Sequence, residues 1–100
     1  MLDTFTMETF QPHVGQTFRV VVDDQWELRV RLTEVHAWGG KGAENRPRTP
    51  FSLLFHGPAD PAALPQQIYR VESDVMDPFE LFLVPLGPDE QGMQYEAVFT

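Results

Sequence analysis

Trp26, Leu28, Val30 and Leu32 are apolar, and Glu27, Arg29, Arg31 and Thr33 beside them are polar. A period of two predicts a β-strand with one face in a core and the other in water. Just upstream, 17–22 is rich in β-branched and aromatic residues and predicts a second strand. Asp23, Asp24 and Gln25 between the two are turn formers. So short a connection can only bring the chain back antiparallel, so the two strands form a hairpin. The second strand runs out through 35–38.

The same reading finds further strands downstream. Residues 51–56 form a nearly continuous apolar run between Pro50 and Gly57-Pro58. In 67–72, Ile68 and Arg70 fall on one face and Tyr69 and Val71 on the other. Residues 80–86 are apolar at both parities, which predicts a central strand buried on both faces, with Pro85 at its end or at a bulge. A Pro-Asp-Glu-Gln-Gly turn then leads into a last strand over 94–99. At the start of the chain, Thr6 is placed to cap one helical turn, and Pro12 rules out a long continuation. Phe5 and Phe10 are its expected anchors in the core, and Gly15 releases the chain into the first strand. Residues 39–48 lack periodicity and predict a mobile loop, and 59–66, with Pro61 and Pro65, predicts an ordered one.

Together these elements predict an all-β fold of about six strands with one short N-terminal helical turn, a small antiparallel barrel or sandwich. A barrel is preferred, because a chain this short fills two sheets poorly and closure removes reactive edges. The 100 residues form a single domain, 1–100.

Charge changes this picture more than composition does. The net charge is −8, and a net-acidic chain argues against a nucleic-acid partner, since phosphate binding needs clustered bases. Six of the seven Lys and Arg lie between Arg19 and Arg48, whereas 71–100 carries seven acids and no base. Such asymmetry can steer the basic surface of one copy onto the acidic surface of another, although solvated loops account for it more simply. Without cysteine there is no disulfide framework and no thiolate site. Residues 1–10 have acids where a signal peptide has bases, and no run approaches a membrane span. The chain is therefore expected in the cytoplasm at synthesis, without a membrane partner.

Candidate chemistry is sparse. Ser52, His56 and Asp60 are the residue types of a hydrolase triad, but Ser52 and His56 lie roughly 13 Å apart on one strand, out of hydrogen-bond reach. The Gly-x-Ser-x-Gly elbow is absent. His13, His36 and His56 have no metal-ligand spacing. Glu72, Asp74, Asp77 and Glu80 crowd a turn without the calcium-loop pattern, and turn solvation explains them. No catalytic residue, cofactor or metal is assigned. The loop 39–48 matches no phosphate-binding motif, but Lys41, Arg46 and Arg48 give it charge, and Trp38 stands at its mouth. These four residues are the expected partner-binding group. The other aromatics fall on strands and read first as core.

The segments FQPHVGQTF at 10–18, PFSLLFHGP at 50–58, ELFLVPLGP at 80–88 and YEAVF at 95–99 resemble a family of small uncharacterised bacterial proteins of about this length. The resemblance spans nearly the whole chain. It implies a domain of unknown function, found near genes for phage-tail-collar-like proteins, with no catalytic residues to carry over. The 38–48 loop is longer than that pattern, so a role placed on it is particular to this chain. The expected function is a non-enzymatic binding or assembly module of a phage-tail-like or surface-appendage system, with a protein partner. Homo-oligomers would form through strand edges or basic–acidic complementarity. The alternative is a small-ligand-binding barrel whose pocket is lined by Trp26, Phe55, Phe82 and Tyr95.

Overall fold

A computed structural model describes residues 5–38, 50–59 and 64–99. Six strands follow a short helix: α1 (Met7–Phe10), β1 (Thr17–Asp23), β2 (Trp26–Ala37), β3 (Phe51–Gly57), β4 (Gln67–Glu72), β5 (Phe79–Asp89) and β6 (Gly92–Phe99). All pair antiparallel and close into one barrel in the order β1-β2-β3-β6-β5-β4.

Alternation sorts the side chains. Phe18, Val20, Leu28, Val30, Leu32, Leu53, Phe55, Val71, Leu81, Leu83, Tyr95 and Ala97 point inward and are buried. The barrel is plugged at both ends. At one end, Thr9 Oγ1 accepts the Thr6 N–H at 3.0 Å and secures the first turn of α1. This brings Phe10 onto Phe79 and Phe99, each with ring centroids 5.8 Å away. Phe5 adds an edge-to-face contact with Phe79 at 5.4 Å, and Phe51 stacks on Phe99 at 4.5 Å. At the other end Leu64 is buried, its N–H donating to the Tyr95 hydroxyl at 3.1 Å. There the Tyr69 hydroxyl donates to the Pro65 carbonyl at 2.6 Å, and burial raises the Tyr69 pKa, with Tyr95 adding to the rise.

The alternation in β2, the β1–β2 hairpin, the span of β4 and the anchoring of Phe10 all match the sequence expectation. Pro85 sits at a register shift in β5, as a residue without an N–H must within a paired strand. Two expectations are corrected. β5 is not buried on both faces: Glu80 and Phe82 face outward and are exposed, because nothing described packs over that side of the barrel. The doubly buried strand is β3, where outward-facing Ser52 and His56 are both covered.

The pocket expected from Trp26, Phe55, Phe82 and Tyr95 does not exist. Phe55 and Tyr95 fill the interior, while Trp26 and Phe82 are 43% and 47% exposed outside it. Trp26 has the inward parity, but it is the first residue of β2 and stands at the hairpin tip, next to a register shift between Val21 and Asp23. That tip lies beyond the stretch of β1 that pairs with β4.

Candidate functional site

The outer surface of β3 is where side chains from distant parts of the chain meet. A bulge between Leu32 and Glu34 in β2 leaves Thr33 without a cross-strand partner and turns its hydroxyl onto β3. Thr33 Oγ1 donates to the Leu54 carbonyl at 3.1 Å and shares a 2.8 Å hydrogen bond with His56 Nδ1. His56 Nε2 donates to Asp89 Oδ2 at 2.8 Å, and Asp89 lies at the end of β5. That bond, helped by the Gln91 and Gly92 N–H groups, holds the Asp89 carboxyl below its ordinary value against some desolvation. The imidazole is only 6% exposed.

Hydroxyl, imidazole and carboxylate in a row have the composition of a nucleophilic triad, but the roles differ. Both ring nitrogens already have internal partners, and the Thr33 hydroxyl is shared between the Leu54 carbonyl and Nδ1. The row braces the β5–β6 hairpin against β2 and β3. Ser52 takes no part in it, and Asp60 lies outside the described residues.

Next to this brace, Ser52, Leu54, His36, Trp38, Leu86 and Gln94 line a groove of about 290 Å³, with Glu34 and Glu96 on its walls. Trp38 is half exposed and packs edge-to-face on His36 at 4.8 Å. Lys41, Arg46 and Arg48, expected beside it as partner contacts, lie outside the described residues.

The groove opens onto an apolar row. Ser52 is in register with Val98, and the β5–β6 pairing begins at Val84 and Glu96, two residues along each strand from Phe82 and Val98. Phe82 is in register with Ile68 on β4. Ile68, Phe82 and Val98 are 62%, 47% and 57% exposed. Three adjacent strands thus present large apolar side chains to water at one level of the barrel. Scattered apolar surface residues are ordinary, but an aligned row beside a groove is a contact surface in form. Sequence reasoning missed it by assigning Phe82 to the interior.

The crowded acids of the β4–β5 turn are partly spoken for. Glu72 pairs with Arg70 at 2.8 Å, and Asp74 with Arg19 at 3.1 Å. Among the described residues, no three His, Asp or Glu side chains stand close enough to hold a metal ion, and no helix is long and apolar enough to cross a membrane.

No curated protein and no solved structure matches the chain. A family described as a domain of unknown function, DUF6916, matches residues 5–99. With almost its whole length matched, the chain belongs to the DUF6916 family.

Proposed function

We propose that this domain is a non-enzymatic binding or assembly module that docks a protein partner on the outer face of β4, β5 and β6. The observation that carries this reading is the exposed row Ile68, Phe82 and Val98, continued by the groove at Leu86 and Trp38. Aromatic and large aliphatic side chains in such a row are the type that anchors an interface. Closure of the barrel gives every strand two neighbours, which favours docking by a face over addition of a strand at an edge. The internal partners of His56 support a structural imidazole rather than a catalytic one. The resemblance noted from the sequence supports a phage-tail-like or surface-appendage system as the setting.

The test uses immobilised wild-type protein and an Ile68→Asp/Phe82→Asp variant of unchanged circular dichroism, each exposed to lysate of the native host. A tail-like or appendage protein retained by the wild type and lost from the variant is the expected result. Equal retention by both, or no partner together with a monomer at high concentration in sedimentation, would overturn the reading.

A further inference from the structure

We infer that a cleft on the β1–β2 side of the barrel is a binding site for an oxyanion, a carboxylate or a phosphate group. The cleft has a volume of about 440 Å³ and is lined by Thr17, Arg29, Arg31, His56, Pro58 and Gln91 among others. None of its described lining residues is a carboxylate, on a chain of net charge −8.

The topology that assembles it is plain. Arg29 and Arg31 lie two apart on β2 and share its outer face, so their Cα atoms stand roughly 6.5–7 Å apart. Thr17 on β1 and His56 on β3 are both in register with Arg31. The β5–β6 turn contributes Gln91, whose Oε1 accepts from Arg31 Nη2 at 3.0 Å. With its oxygen turned to Arg31, the Gln91 amide has both N–H groups still to offer. His56 Nε2 is already bonded to Asp89, so that carboxylate is turned to the ring.

The arginines differ in how they are satisfied. Arg19, in register with Arg29, takes Asp74 at 3.1 Å and Glu27 at 4.0 Å. Among the described residues, Arg31 has a neutral amide and no carboxylate, and Arg29 has neither. Two guanidinium groups without a carboxylate partner among the described residues, a hydroxyl and an amide thus converge on one cleft. Guanidinium forks match the paired oxygens of carboxylate and phosphate. A free small anion and an acidic segment of a protein present the same oxygens, so chemistry alone defines the site. It lies away from the Ile68–Phe82–Val98 row and stands or falls apart from the docking proposal.

The test is an NMR titration of the protein with inorganic phosphate and, separately, with hexaglutamate, at about 0.15 M salt so that diffuse attraction is screened. The expected result is saturable shifts of the Thr17, Arg31 and Gln91 signals with at least one probe. Affinity should fall about tenfold or more in Arg29→Gln/Arg31→Gln and stay unchanged in Arg70→Gln, whose partner is Glu72. Saturation by phosphate alone makes the ligand a small anion, and saturation by hexaglutamate alone makes it an acidic protein segment. Shifts that never saturate, or that weaken equally in Arg70→Gln, would overturn the site.

Discussion

Gly92 and Gly87 both have positive φ, +127° and +106°, but they are not equivalent. A Cβ at Gly87 would meet nothing within 4 Å, whereas one at Gly92 would run into the Gly57 carbonyl oxygen. Gly87→Ala should therefore cost about 1 kcal/mol from backbone strain alone. Gly92→Ala should cost about 3 kcal/mol, because the backbone of β3 must also give way. Urea midpoints of the two variants measure the difference, and equal midpoints would refute it. Asp89 makes the other residue-scale prediction. Its carboxyl is held low, so its contribution to stability is complete above the ordinary aspartate value of about 3.9 and is lost as pH falls through the lower folded value. Asp89→Asn should be less stable than the wild type at neutral pH, with the gap closing in acid. Unfolding curves over that pH range test it, and a gap independent of pH would exclude the linkage. Nothing local in the sequence marks this pair, since His56 and Asp89 are 33 positions apart.

At the scale of elements, α1 owes its place to aromatic packing more than to helix propensity. A four-residue helix has little stability of its own, and Phe10 is its only buried residue. Phe10→Ala should cost about 3–5 kcal/mol, since it opens a cavity against Phe51, Phe79 and Phe99. Thr9→Ala, which removes the acceptor for the Thr6 N–H, should cost about 1 kcal/mol. Denaturant unfolding followed by tyrosine and tryptophan fluorescence separates the two, and a smaller loss for Phe10→Ala would contradict the plug. The cap, the stop and the two Phe anchors were legible in sequence because they lie within eight residues of one another, and past α1 the chain goes on only as a short 3₁₀ turn, Gln11–His13. The outward face of β5 was not, because Phe82 and Val84 give it the same polarity as its inward face.

For the molecule as a whole, closure depends on its shortest seam. β1 meets β4 only through Arg19–Val21 against Arg70–Glu72, three register pairs, whereas β3 and β6 share seven. Hydrogen exchange should therefore be fastest, among paired strand amides, along the β1–β4 seam and slowest along β3–β6. Equal protection at both would mean that the barrel opens only by global unfolding. The same closure spreads charge over separate surfaces. The arginines of β1 and β2 stand together, and among the described residues Arg19 alone of them is neutralised, by acids drawn from the β2 and β4–β5 regions.

Local order was written in the chain itself. Side-chain alternation repeats every two residues, and turn and cap chemistry acts over two to four, so the all-β class, the first hairpin, the span of β4 and the helical cap could be read from neighbours alone. Tertiary structure decided what depends on register between distant strands. It set the closure of the barrel and the exposure of Trp26 and Phe82. The bulge that carries Thr33 to His56 and the gathering of Arg29, Arg31 and Gln91 around one cleft also come from it. A bulge or a one-residue slip reverses which face a side chain takes, and its cost is set by packing across the sheet, which periodicity along one strand does not encode.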